Sequence, residues 1–297
     1  SMKVVIFGGL GYLGKNLSYE LKKKKYQVYI FSNKKFNKNS NKALTYQVER
    51  FEECLLKIKP KIIFFLSGNS NPNTSINHVY DLERSNIPLQ HFLESIKNIK
   101  YKGKVFYSSS IAVYGNKSSF LPSKEDGILK PGNYYGLSKL IAENQINFYR
   151  KNHKLNIVIL RLASFFGPGL KKQFIYEFTK KAQNSKKIIL HGHKDDSREL
   201  ISIDYLVKII LKLTKKKIIS EDINIGSGKQ IKISKLADKI LKITKIQKSY
   251  LFTNKVKSPN FPVMSRKKLS KIIKLNKIKL NFDNDLKKTV LSYIHER

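Results

Sequence analysis

A chain of 297 residues, 41% of them hydrophobic, can bury one large core or two modest ones and is too apolar to be a disordered tail. Its 59 basic and 21 acidic residues leave a net charge of +38, an excess made mostly of lysine spread along the whole length. That spread, with no helix-turn-helix, zinc-finger or RNP-type signature, argues against specific nucleic-acid binding, although the field still attracts anionic substrates. No apolar run approaches the ~18 residues of a membrane-spanning helix. Met2-Lys3 leads directly into a strand-like segment, so a cytoplasmic chain without a signal peptide or membrane attachment is expected. The one cysteine, Cys54, lies in a helix-like run and reads as a small core residue in a reducing compartment.

Lys3 to Phe7 is a short apolar run of the kind found in buried parallel strands. Gly8-Gly9-Leu10-Gly11-Tyr12-Leu13-Gly14 follows, then a helical pattern from Lys15 to Lys24. Strand, glycine turn and helix together make the context of a dinucleotide site, where glycine lets the backbone approach a pyrophosphate and the helix N-terminus stabilises its charge. The spacing fits G-x-G-x-x-G on Gly9, Gly11 and Gly14, or G-x-x-G-x-x-G on Gly8, Gly11 and Gly14. Gln27 to Phe31 is the second strand. An acidic residue at its end would hold the ribose 2′-hydroxyl of NAD. The chain instead reads Ser32-Asn33-Lys34-Lys35, which suits a 2′-phosphate and favours NADP, with NAD as the alternative.

Phe51 to Lys59 is helical and Lys61 to Leu66 is a strand, followed by Ser67-Gly68-Asn69 at the cofactor-facing end. Val79 to Asn98 reads as one long amphipathic helix despite Pro88. Lys104 to Tyr107 is a strand that ends in Ser108-Ser109-Ser110-Ile111-Ala112-Val113-Tyr114-Gly115. The helix from Tyr134 to Asn152 places Tyr135 and Lys139 four apart on one face, where an ammonium favours the phenolate. Ile157 to Leu162 is a further strand. Alternating strands and helices predict an α/β fold, a Rossmann-type doubly wound parallel sheet with a smaller C-terminal α/β substrate-binding domain. The expected domains are 2–165 and 166–297, with segments near 198–215 returning to the first. In the second, helices are expected at Phe174 to Gln183, at Asp204 to Lys215 capped by Asp204, at Ser234 to Ile243 capped by Ser234, and in the basic tail. His191 and His193 read as loop residues rather than a metal pair, so no metal is expected.

Four separated motifs now coincide: the glycine turn, the serine run with Val113-Tyr114-Gly115, the Tyr135/Lys139 pair followed by Ala142-Glu143, and Arg161-Leu162 leading to Gly167-Pro168-Gly169. In order and spacing they resemble the extended short-chain dehydrogenase/reductases, and within them the sugar-nucleotide epimerase/dehydratase family. The resemblance implies hydride transfer at a sugar carbon. Tyr135 would be the acid/base, Lys139 would lower its pKa and hold the nicotinamide ribose, and Ser110 would bond the reacting oxygen. It also implies cofactor contacts from Gly8, Gly11, Tyr12, Leu13, Gly14, Ser32, Asn33 and Lys34. Leu66, Ser67, Gly68 and Ser108, together with Tyr135 and Lys139, would complete them. Ser110, Ser164 and Arg198 would meet a nucleotide-sugar substrate, Arg198 gripping its diphosphate. A homodimer through the Val79 and Tyr134 helices is implied in the same way.

Departures from the family pattern narrow the reaction. Dehydratases follow the hydroxyl residue with an Asp-Glu pair, where this chain has Ile111 and Ala112. Members that epimerise C3 and C5 use a cysteine and a histidine near the site, whereas Cys54 comes too early. Many 4-epimerases keep an asparagine where Ser164 stands and hold NAD tightly. The sequence therefore reads as an NADPH-dependent reductase of a nucleotide-linked 4-keto-6-deoxy sugar, serving surface polysaccharide synthesis. The alternatives are an NAD-dependent 4-epimerase and, remotely, a non-catalytic NADP-binding protein that binds RNA.

Overall fold

The computed structural model describes residues 1–31, 45–46, 51–70, 72–75, 77–115, 122–254 and 262–295. Through the first half the order is β1 (Lys3–Phe7), α1 (Tyr12–Lys23), β2 (Gln27–Phe31), β3 (Thr45–Tyr46), α2 (Phe51–Ile58), β4 (Ile62–Phe65), α3 (His78–Asp81), α4 (Ile87–Asn98), β5 (Lys104–Ser110), α5 (Tyr134–His153) and β6 (Ile157–Leu162). The second half contributes β7 (Ser164–Phe166), α6 (Gln173–Asn184), β8 (Ile188–Leu190), β9 (Ser197–Ser202), α7 (Ile203–Thr214), β10 (Asp222–Ile225), β11 (Gln230–Lys232), α8 (Ile233–Thr244), β12 (Tyr250–Phe252), α9 (Lys267–Ile272) and α10 (Phe282–Ile294).

Two compact units result. The first comprises 1–115, 128–162 and 209–224, and the second 116–127, 163–208 and 225–297. The first unit is built on a sheet of order β10-β6-β5-β4-β1-β2-β3. β1 pairs in parallel with β2 and β4, β2 with β3, β4 with β5, and β5 with β6. The order reverses at β1, between β2 and β4, which is where open α/β sheets bind ligands. Both faces of the sheet are buried, which is why these strands read as unbroken apolar runs rather than alternating ones. On one face Phe7 meets Phe31, Phe51, Phe65 and Phe92 at ring-centroid distances of 4.9, 4.6, 5.4 and 5.3 Å. Cys54 lies in this same core.

The second unit holds a three-stranded sheet of order β11-β9-β7 and the pair β12-β8. Its core joins α6, α8 and α10 through Phe178, Leu236, Ile240, Leu286 and Val290.

Local departures from the sequence reading have physical causes. The predicted helix from Val79 to Asn98 is helical throughout but not regular: α3 passes through a π-turn over Leu82–Asn86 into α4. Pro88 lacks the N–H that a regular helix would use there, and the wider turn just before it absorbs the mismatch. Asp204 does not cap α7. β9 runs straight into that helix, and Ser202 Oγ accepts from Tyr205 N at 3.3 Å. Ser234 lies inside α8, whose N-cap is Lys232 with no side-chain capping bond.

Candidate active site

The glycine turn is tight for identifiable reasons. Gly8 has φ +74°, and a side-chain carbon there would lie 2.9 Å from the Leu66 carbonyl and Ser67 N. A carbon on Gly14 would lie 2.4 Å from Gly8 O. Gly11 N donates to Gly8 O at 2.9 Å and closes the turn. The G-x-x-G-x-x-G reading on Gly8, Gly11 and Gly14 therefore describes this backbone. α1 starts at Tyr12 with Gly11 as N-cap, no side-chain capping bond and no acidic residue in its first turn. Its N–H groups and positive dipole end are thus available to an anion. Leu13 is buried under the helix start, and Leu66, Ser67 and the outward Gly68 follow β4 beside the turn. These residues can hold a dinucleotide. Ser32, Asn33 and Lys34, expected to read its ribose, lie outside the described residues.

Ser110, Tyr135 and Lys139 come together in the same unit. Ser110 ends β5, and its Oγ accepts from Ala112 N at 3.2 Å, capping a short 3-10 turn over Ile111–Tyr114. α5 starts just after Asn133, whose side chain accepts from Gly136 N at 2.7 Å. Gly136 allows the helix start to close on that turn, because a side-chain carbon there would come within 2.6 Å of Ala112 O. This approach brings Tyr135 to Ser110. One helical turn later, Lys139 Nζ donates to Ser108 O at 3.1 Å. It lies 5.4 Å from the Tyr107 ring centroid and 5.7 Å from that of Tyr135.

Burial dominates the electrostatics of Tyr135 and Lys139. Burial pushes the phenol up, the Ser110 hydroxyl offsets part of that, and the Asp81 carboxylate adds to it. The lysine is the group that gives way. Burial lowers its pKa to about 8, against the opposing pull of Asp81 and Glu143. A low-dielectric setting disfavours both charged forms. The result is a protonated phenol next to a hydroxyl, a pair able to donate toward an oxygen that gains negative charge.

A buried polar chain supports the site from below. Ser109 Oγ donates to Glu143 at 2.5 Å. Glu143 takes Arg161 Nη2 at 2.8 Å, and Arg161 Nη1 reaches Tyr114 Oη at 2.9 Å. Tyr114 in turn donates to Asn224 at 2.7 Å. Ser109 and Ser108 are thereby committed to protein partners, Ser108 through its carbonyl. Sequence reading missed Asp81 and Asn86, and it placed Asn69 at the cofactor-facing end of its strand without giving it a role. Asn69 Nδ2 donates to Asp81 Oδ1 at 2.8 Å, and Asn86 Nδ2 to Ser138 O at 2.9 Å. The helix pattern from Val79 to Asn98 hid Asp81 and Asn86.

Ser164 and Arg198 belong to the second unit. They lie on its neighbouring strands β7 and β9, with Ser164 opposite Leu200. Arg198 is half-buried, and its Nη1 donates to Ser197 O at 2.9 Å. Burial lowers its pKa, with Asp196 acting against that.

A doubly wound parallel sheet, an uncapped glycine turn at its switch point and a Ser/Tyr/Lys cluster at the end of β5 together define a short-chain dehydrogenase/reductase. The chain belongs to the NAD dependent epimerase/dehydratase family, whose model matches residues 4–226. A dTDP-D-glucose 4,6-dehydratase of Dictyostelium discoideum is 29% identical over 270 residues, 82% of this chain. The match spans 62% of that relative's length, less than two thirds. A GDP-6-deoxy-D-talose 4-dehydrogenase of Aggregatibacter actinomycetemcomitans is 31% identical over 235 residues, covering 76% of this chain and 75% of the relative. The crystal structure of a UDP-glucose 4-epimerase from Thermotoga maritima, with UDP-glucose, superposes with a TM-score of 0.85 at 22% identity over 99% of each chain. At that identity it shows the shared fold. Among the described residues, no helix is long and apolar enough to cross a membrane.

Proposed function

We propose that this protein reduces a nucleotide-linked 4-keto-6-deoxy sugar with NADPH. The observation that carries the reading is the Tyr135 phenol, held protonated beside Ser110 at a site whose next two residues, Ile111 and Ala112, carry no acid. Expelling water from a sugar requires a carboxylic acid, and those two positions offer none. Delivering a proton to an alkoxide requires only a poised phenol and hydrogen-bond donors.

The bound nicotinamide would supply the hydride. Gly8, Gly11, Tyr12, Leu13 and Gly14 would hold the pyrophosphate. Leu66, Ser67, Gly68 and Ser108 would line the cofactor, and Ser32, Asn33 and Lys34 would favour a 2′-phosphate. Lys139 would hold the nicotinamide ribose. Ser110 would bond the substrate oxygen, and Tyr135 would give it a proton. Ser164 and Arg198 would meet the substrate, the guanidinium fork suiting diphosphate oxygens. Val79 on α3 and Phe148 on α5 are 60% and 58% exposed, which supports self-association through these helices.

The epimerase fold neighbours favour a second reading, an NAD-dependent 4-epimerase using the same three residues. The test separates the two. The purified protein is denatured, any released dinucleotide is identified, and the emptied protein is titrated with NADPH and NADH. An empty protein that prefers NADPH supports the reductase. Tightly retained NAD moves the assignment to the epimerase.

A further inference from the structure

Asp81 is the most deeply buried acid near the site and has no part in the mechanism above. It is 0% exposed and ends α3. Its Oδ1 accepts from Asn69 Nδ2 at 2.8 Å, while its Oδ2, also buried, has no hydrogen-bond partner among the described residues. A fully buried carboxylate oxygen without a donor is a costly arrangement, and such groups call for an explanation. α3 packs against α5, the helix that carries Tyr135 and Lys139. The π-turn that follows ties the same region to both sides of the site. Ser85 Oγ accepts from Asn69 N at 2.9 Å, just beyond Gly68, and Asn86 Nδ2 donates to Ser138 O at 2.9 Å, one residue before Lys139. π-turns inside helices are frequent at functional sites.

We infer that Asp81 is a positioning residue, a buried counter-charge that keeps the Tyr135/Lys139 pair in its proton-donating form, phenol plus ammonium. The inference rests on the reading of Tyr135 as the proton donor. Its negative charge opposes ionisation of the phenol and favours the ammonium, and both directions appear at those two groups. Lys139 also faces Glu143 on its own helix and the Tyr107 ring on β5. Asp81 shares its short helix with His78, whose buried Nδ1 has no hydrogen-bond partner among the described residues, and precedes the exposed Glu83 and Arg84. Glu143 is already bound to Arg161 and Ser109. Asp81 is therefore the acid near Lys139 whose charge no cation neutralises directly among the described residues. Proton donation during carbonyl reduction needs the phenol form. A fixed negative charge under the pair widens the pH range in which reduction can run.

The test uses Asp81→Asn, which keeps an acceptor for Asn69 and removes the charge, and Asn69→Ala, which keeps the charge and removes the bond. Two readouts are taken. The first is the pH dependence of kcat for carbonyl reduction. Asp81→Asn should move the alkaline limb to lower pH by about one unit, Asn69→Ala should leave it in place, and Asp81→Glu should restore it. The second readout needs no substrate. Folding stability is measured against pH with and without Lys139→Met, in the native and the Asp81→Asn backgrounds. The lysine-dependent rise in stability should begin at lower pH once Asp81 is neutral. If Asp81→Asn leaves both profiles in place, or if Asn69→Ala shifts them equally, the inference is overturned. A shift in the stability profile of a protein that reduces no keto sugar would sink the proposed activity and leave the counter-charge standing.

Discussion

Replacing Lys139 by methionine tests the electrostatics of the site through folding alone. The lysine is 4% exposed, and its ammonium donates to Ser108 O. Its pKa falls from 10.5 to about 8 on folding. At ~1.4 kcal/mol per unit, a drop of that size means the native state loses about 3 kcal/mol near pH 7 by holding the charge. The sign follows from proton binding. Between the folded and unfolded values the unfolded chain binds the extra proton, so stability rises with pH across about pH 8 to 10.5. The net effect of Lys139→Met near pH 7 is small. Removing the burden of the charge is offset by an unpaired Ser108 carbonyl, at ~1–3 kcal/mol, and by the loss of the ammonium that Asp81 faces. The difference between two pH values is the cleaner quantity. Urea unfolding near pH 7 and near pH 9.5 should show the native protein gaining about 2 kcal/mol relative to the variant as pH rises. Parallel pH profiles would refute the buried, depressed lysine.

Three further outcomes are expected. Tyr135→Phe should bind cofactor within about twofold of the native protein while turnover falls by ~10²–10⁴, the usual worth of a positioned acid; unchanged turnover in a stopped-flow assay would remove Tyr135 from the mechanism. Gly14→Ala should lose dinucleotide binding in calorimetry, because the new carbon lies 2.4 Å from the Gly8 carbonyl oxygen and forces the turn open. Glu143→Ala should destabilise by about 3–5 kcal/mol in denaturant titrations, because it leaves the Arg161 guanidinium, 2% exposed, without its bidentate partner.

Sequence legibility varied with the physics involved. Lys3 to Phe7, Gln27 to Phe31 and Ile157 to Leu162 were readable to the residue, because strands buried on both faces leave uninterrupted apolar runs. The glycine turn and the Tyr135/Lys139 spacing were readable because each is local. Helix caps at β9-α7 and β11-α8 were misjudged because strand passes to helix without a loop, so the capping residue looks like strand. The π-turn over Leu82–Asn86 left no signature in a 3.6-residue pattern, and it concealed Asp81 and Asn86 at buried positions. The burial of Tyr135 and Lys139, which pushes the phenol up and the ammonium down, was also out of reach. Spacing gives the partner of a charge, but burial decides which of two opposing effects prevails, and burial is a property of the folded chain.

Deuterium tracing tests the central claim most directly. The protein would be given NADPH labelled at the transferable hydride and a nucleotide-linked 4-keto-6-deoxyhexose. The account predicts stoichiometric oxidation of NADPH with the label at C4 of the sugar, and loss of both in Tyr135→Phe. Interconversion of 4-epimers with no net consumption of NADPH would contradict it.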